Sequence, residues 1–500
     1  MPEPQSPEEP PASKPDGAGS AVQSGRPDRG GSTPQGRTAG APGNGTGLPG
    51  TPTAADHEAT FQESQELESF LLALGRSQLA AGYAVDDVTN TLDRVARAYG
   101  RPDLSVAVLP GVVIVDDPVV GRARVITEGG QDALRLDQAA VVHEVAQDAR
   151  HGLITPAQGT EILQELPNKE PRFPGWASVL GYAVASTGFA LIFRVSPWGV
   201  ASAAILGLFV GWLLMLARPR PRIAPLVPPF AALICSFAVF GFASLIESDV
   251  QPLRVVVAPL IALVPGAALT RATQELASGH LIAGATRLVA AIVQILVLVF
   301  GILVGSLLAK ISPYDITDLT ETRLPVWVAW IGVAVYAIGQ VLAFNVPRGA
   351  VRYVVLLLLV AFTVQQAVTW QLDGVLAAGV AAGVALFLAL LIQDRLANGP
   401  PAFVIFTPVF WLLVPGSLGL VGLTEAITGV ADSTDPAPVG GSGAAGMPSL
   451  TDLTSDSGVI LTAGASIIAI TIGMQIASIA GRLLHQLPDL PDLQITGRKQ

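Results

Sequence analysis

Two stretches of the chain repeat the same chemical groups at the same spacing. LVPGAALTRATQEL begins at Leu263 and LVPGSLGLVGLTEA at Leu413, and each sets a Pro-Gly pair ten residues ahead of a glutamate, Glu275 or Glu425. Proline removes an amide donor and glycine permits backbone angles that other residues avoid, so together they interrupt a helix. In apolar surroundings the freed carbonyls and amides must be met by protein or by a water-filled cavity. Freed amides suit a carboxylate and freed carbonyls an ammonium, which together describe a small zwitterion. Pro265, Gly266 and Thr270, with Pro415, Gly416 and Ser417, are therefore the candidate substrate-binding residues. Glu275 and Glu425 are the candidate proton carriers or ammonium partners. A single Pro-Gly pair more often only kinks a membrane helix, and a glutamate at a helix end is as often merely solvated. It is the duplication that favours a functional break.

The elements around these motifs are long and apolar. The chain has 500 residues, 50% of them hydrophobic and 14% charged, with a mean hydropathy of +0.53, whereas an ordinary soluble protein carries about 25% charged residues. A polytopic α-helical membrane protein follows. Ten runs can each cross a bilayer: 174–193, 199–217, 223–246, 253–273, 288–309, 325–344, 351–370, 372–392, 402–423 and 458–481. Several carry Gly, Ala and Ser at close spacing, which lets membrane helices approach one another. Pro415 lies 150 residues after Pro265. Ten spans then divide into two sets of five, 174–309 and 325–481, with the Pro-Gly pair in the fourth span of each. An odd number of spans per set turns the second over, giving a 5+5 inverted repeat as in many secondary transporters.

Loop charge orients the spans. Arg218, Arg220 and Arg222, then Arg271 and Arg287, Arg348 and Arg352, Arg395, and finally Arg482, Arg498 and Lys499 crowd alternate links. The opposite links hold Glu247 and Asp249, then Asp315, Asp318 and Glu321, and the 424–457 link holds five acids and no base. The excess of base marks the cytoplasmic side and places both termini there. Arg271 and Arg287 read as anchors at helix ends. Gln294 and Asn345 read as bonds between helices.

Ahead of the spans lie a tail and a small domain. Residues 1–58 are rich in Pro, Gly, Ser and Thr and are expected to be disordered. Residues 60–168 read as a cytoplasmic α/β domain. VDDVTNTLDRVARAYG puts Val85, Val88, Leu92, Val95 and Tyr99 on one helical stripe that stops at Gly100. LSVAVLP, GVVIVDD and GRARVITE are strand-like runs between turn residues. A helix follows over DQAAVVHEVAQDARHG, then another with Thr155 as N-cap and Pro156 at its first position. Residues 482–500 form a cytoplasmic tail.

In HEVAQDARH, His143 and His151 stand eight apart with Glu144 and Asp148 nearby. The spacing is not H-E-x-x-H, and a solvated helix face outweighs a metal or hydrolytic site. The chain has one cysteine, Cys235, inside an apolar run. No G-x-S-x-G, phosphate loop or Cys/His cluster is present, so no cofactor or metal is expected. A net charge of −10 offers no basic surface for nucleic acid.

These residues resemble a family. LLALGRSQLAAGYAVDDVTNTLDRVARAYG, HGLITPAQGTEIL, PGWASVLGYAVASTGFALIF and VVVAPLIALVPGAALTRATQELASGHLIAGATRLVAA look like the N-terminal half of the threonine/serine exporter family. PAFVIFTPVFWLLVPGSLGL is similar to its C-terminal half. The resemblance implies an inner-membrane exporter of small hydroxy amino acids, driven by the proton motive force, with ten spans after a cytoplasmic domain. The expected partners are the amino-acid substrate, protons and the bilayer, and the sequence is compatible with a homo-oligomer. A competing reading is a membrane-anchored hydrolase of small peptides or amides, with the soluble domain as its catalytic part. A third makes that domain a regulatory or dimerising module.

Overall fold

The computed structural model describes residues 54–118, 121–127, 134–218, 220, 222–246, 252–310, 324–371, 374–396, 399–413 and 458–485. The second Pro-Gly motif, with Pro415, Gly416, Ser417 and Glu425, lies outside the described residues. So do the acidic 430–457 link and nearly all of the two tails.

Helix α1 (Ala54–Ala80) opens the described chain, a few residues before the folded domain was expected to start. It is the hub of the soluble domain, and Phe70, Leu71 and Leu74 on it are fully buried. Each such side chain contributes roughly 1.5–3 kcal/mol by leaving water. Helix α2 (Val85–Ala98) lays Val88, Leu92 and Val95 against this core and ends before Gly100, whose φ of 74° is the left-handed conformation that stops a helix.

Three strands, β1 (Ser105–Leu109), β2 (Val112–Asp117) and β3 (Arg122–Thr127), form an antiparallel meander in the order of the chain. Gly111 and Gly121 at its two turns have positive φ. Val113 and Val115 face the helices and are buried. Helix α3 (Leu136–Arg150) and α4 (Pro156–Glu165) complete the unit. The Thr155 hydroxyl accepts from Gln158 N at 3.2 Å while Gln158 Oε1 accepts from Thr155 N at 3.0 Å, which closes the N-terminus of α4 as expected.

Helices occupy every predicted apolar run: α5 (Gly175–Ile192), α6 (Pro197–Ala217), α7 (Val227–Ile246), α8 (Pro252–Leu260), α9 (Gly266–Ala277), α10 (Leu281–Leu308), α11 (Val328–Ala343), α12 (Val351–Thr369), α13 (Gly374–Arg395), α14 (Ala402–Leu413) and α15 (Gly458–His485). Among the described residues six are long and apolar enough to cross a membrane. A seventh is added if α8 and α9, bent by 60°, count as one span. Shorter apolar helices are α11, α14 and Ala465–Gly481 within α15. Ile205, Phe230, Phe300 and Ile331 point outward, a surface that lipid covers and water penalises.

Three tight pairings organise these helices, and small residues make each one. α5 packs on α11, where Gly188 lies against the Tyr336 backbone. α7 packs on α10 through Gly301 and Gly305. α13 packs on α15, where Gly473 meets Gly379 and Gly383. Any larger side chain at these contacts would hold the backbones apart. Cys235 is buried in α7. Asn345, in the left-handed region at φ 54°, accepts from Phe173 N at 2.9 Å and so ties the end of α11 to the start of α5.

Candidate functional site

The first Pro-Gly pair does break its helix, and the cause is local. A residue before proline is pushed out of the helical region, and Val264 is extended at φ −73°, ψ 125°. A 3-10 turn at Ile261–Leu263 ends the first segment, Pro265 caps the second, and Gly266 begins it. The freed Leu263 carbonyl accepts from Gln294 Nε2 on α10 at 3.2 Å. Protein therefore meets part of the cost of the break, and Gln294 bonds between helices as expected. A second proline, Pro259, sits inside α8, as Pro408 does inside α14. Each precedes its Pro-Gly pair by six or seven positions in the chain, a parallel that the Pro-Gly signal alone did not reveal.

Below the break, α9 meets the soluble domain. Glu275 is 2% exposed. Its Oε2 lies 3.1 Å from Arg287 Nε, and its Oε1 accepts from Val85 N, in the first turn of α2, at 3.4 Å. Arg287 Nη2 donates to Tyr83 O at 3.4 Å. The Tyr83 ring stacks on Phe403 of α14 with centroids 5.1 Å apart, and Arg271 Cζ stands 5.2 Å from the centre of the Phe403 ring. Gly82, at φ 86°, leaves room for the Arg271 guanidinium, which a Cβ there would strike. His280 Nε2 lies 3.5 Å from Asp86 Oδ1. The turn Gly82–Asp86 is thus held by α9, α10 and α14 together. Arg271 and Arg287, expected to be helix-end anchors, instead pack against this turn.

A cavity of about 790 Å³ opens at this contact. Ala267, Arg271 and Gln274 line it from one stripe of α9, with Ser278 just past the helix end. Phe403, Phe406, Thr407 and Phe410 line it from α14. The cavity therefore runs from the soluble domain to the residue after Gly266. It is walled on the other side by the helix that leads to the second Pro-Gly pair.

Of the described site candidates, Glu275 lines this chamber, while Pro265, Gly266 and Thr270 do not. Thr270 is fully buried on α9, and its hydroxyl has no hydrogen-bond partner among the described residues.

The two histidines part company. His151 caps α3 and is exposed, with Nδ1 2.8 Å from Gln147 O. His143 is half-buried and lines the chamber, with Tyr83 Oη 3.3 Å from Nδ1 and Gln147 Nε2 3.4 Å from Nε2. Burial, aided by the nearby Arg150 charge, pushes its pKa down to about 4, so the ring is neutral at physiological pH. The solvated face expected for it from the sequence is therefore not where it lies. Among the described residues no three His, Cys, Asp or Glu are grouped to hold a metal.

Residues 69–309 match the model of the family described as "Putative threonine/serine exporter". The chain is 26% identical to pheromone-regulated membrane protein 10 of Kluyveromyces lactis over 237 residues, 46% of this chain and 25% of that protein. With the protein of that name in Eremothecium gossypii it shares 25% over 243 residues, 46% of this chain and 32% of the relative. With that of Saccharomyces cerevisiae strain S288c it shares 29% over 169 residues, 33% of this chain and 44% of the relative. The chain thus spans about a quarter to a third of the first two relatives and under half of the third. No solved structure matches it. This is a membrane protein whose residues 69–309, from within α1 to the end of α10, are similar to the family described as putative threonine/serine exporters.

Proposed function

We propose that the chain is a secondary transporter that exports threonine and serine from the cytoplasm across the cell membrane, driven by the proton motive force. Ten spans form two oppositely oriented sets of five, and both termini and the soluble domain lie in the cytoplasm. One observation carries this reading. The chamber runs from the soluble domain to the first turn of α9, just past one helix break, and is walled by the helix that enters the second Pro-Gly motif. A chamber that reaches the first turn after a helix break suits a transport path in which main-chain groups hold a small zwitterion part-way through a bilayer.

The packing supports the repeat. The third apolar run pairs with the fifth, α7 with α10, and the eighth with the tenth, α13 with α15. The first pairs with the sixth, α5 with α11. A pseudo-twofold relating two sets of five generates all three pairings. Substrate binding is assigned to Pro265, Gly266 and Thr270 with Pro415, Gly416 and Ser417. Proton coupling is assigned to Glu425 and Glu275, the latter only when it parts from Arg287. The hydrolase reading gains nothing, because His143 and His151 do not converge.

The test is efflux of labelled threonine and serine from loaded proteoliposomes, with and without an imposed pH gradient. Efflux that rises when the far side is acidic supports the reading. Release no faster than from protein-free vesicles contradicts it.

A further inference from the structure

The chamber carries charge that the two helix breaks do not use. Three guanidinium groups reach it, Arg94 and Arg150 from the soluble domain and Arg271 from α9. Arg150 Nη2 donates to Thr91 Oγ1 at 2.6 Å, while its Nε is buried without an acceptor. Arg271 lies against the Phe403 ring and Gly82. Among the described residues neither Arg150 nor Arg271 is within ion-pair distance of a carboxylate. Burial, with Arg94 beside it, holds Arg150 below its ordinary pKa against the opposing pull of Asp87, as the desolvation of a cation requires. Tyr83 and the neutral His143 stand between these groups and add polar atoms without adding charge.

The facing wall mixes apolar side chains, Leu386, Leu390, Phe406, Phe410 and Met474, with polar ones such as Thr407 and Gln475. Asp86 and Asp87, in the first turn of α2, face the same space. Such a chamber offers guanidinium groups to a carboxylate and the Asp86 and Asp87 side to an ammonium, the two charged ends of a free amino acid. A guanidinium is the side chain best shaped to grip that carboxylate, by two parallel hydrogen bonds.

We propose that this chamber is a selection site for the free α-carboxylate of the exported amino acid, with Arg150 and Arg271 as its two grips. The proposal rests on the exporter reading and adds a station to it. The soluble domain becomes one wall of the substrate's entrance, with Arg150 on that wall. Solutes whose carboxylate is masked as an amide are rejected there.

The experiment uses the full chain in detergent, with titration calorimetry of L-threonine and of L-threoninamide. Wild type is expected to bind threonine and not the amide. Arg150→Gln is expected to weaken threonine binding about tenfold or more, the loss that follows when one charge-assisted pair is removed. Arg271→Gln is expected to do the same. Because Arg271 also packs the domain contact, Arg150→Gln, whose side chain bonds only within the soluble domain, is the decisive variant. Equal binding of threoninamide, no binding of threonine by wild type, or unchanged binding by Arg150→Gln overturns the proposal. Efflux measured beside it separates the two claims. Export by wild type with an unaltered KM in Arg150→Gln sinks the chamber and spares the exporter. Arginine-dependent binding without any efflux does the reverse.

Discussion

Glu275 and Arg287 face each other at 3.1 Å, and the same carboxylate takes the Val85 amide of the soluble domain. One acid therefore fastens three elements, α9, α10 and the start of α2. The half of the broken span beyond Gly266 and the soluble domain are joined at this point, and the break itself lies on the far side, at Val264–Gly266. Movement at the break would carry the soluble domain along with α9.

Removing the acid should release that domain. Glu275→Ala leaves Arg287 without its partner in a largely buried place, which costs on the order of 3 kcal/mol. The partial exposure of Arg287 keeps the loss at that end of the range. Limited proteolysis and hydrogen exchange should show faster opening at residues 82–86, with the spans still inserted. Unchanged exchange at that turn would mean that the carboxylate does not hold it.

Gly82→Ala tests the same contact through the backbone. The φ of 86° costs an L-residue about 1–2 kcal/mol, and the added methyl group meets the Arg271 guanidinium. A lower melting temperature and a displaced Arg271 are expected. A substitution such as Asp86→Asn, in the same turn but not at positive φ, should cost less.

Acid should loosen the soluble domain through His143. Its pKa is about 4 in the fold against 6.5 when exposed. Between those values the unfolded chain binds the extra proton, so stability falls as pH drops from 6.5 toward 4 and is fully present above 6.5. His143→Gln should flatten that part of the stability-against-pH curve. A wild-type curve already flat from pH 7 to pH 4 would contradict the burial of this ring.

The sequence made some of this legible and hid the rest for physical reasons. The meander was readable because Gly111 and Gly121 punctuate alternating runs. The break was readable because Pro265 dictates the conformation of Val264. Helix α1 left no periodic signal because it is covered on more than one side: Gly75 lies against Leu92 and Val113, and Phe70 against Gly159. A helix buried around its girth has no polar face to reveal it. The chamber was invisible for another reason. Val85 meets Glu275 from 190 positions away and Arg287 meets Tyr83 from 204, so no local pattern marks the contact. The arginines that build it resemble ordinary positive-side markers, which is how loop charge alone classed them.

The central claim is that the interrupted main chain at Pro265–Gly266 forms part of the path of the amino acid. Its most direct test is threonine efflux from proteoliposomes carrying the double substitution Pro265→Ala, Gly266→Ala, which lets α8 and α9 run on as one helix. Efflux should fall to the level of protein-free vesicles while insertion, helix content and monodispersity match the wild type. Efflux at the wild-type rate from that variant would contradict the claim.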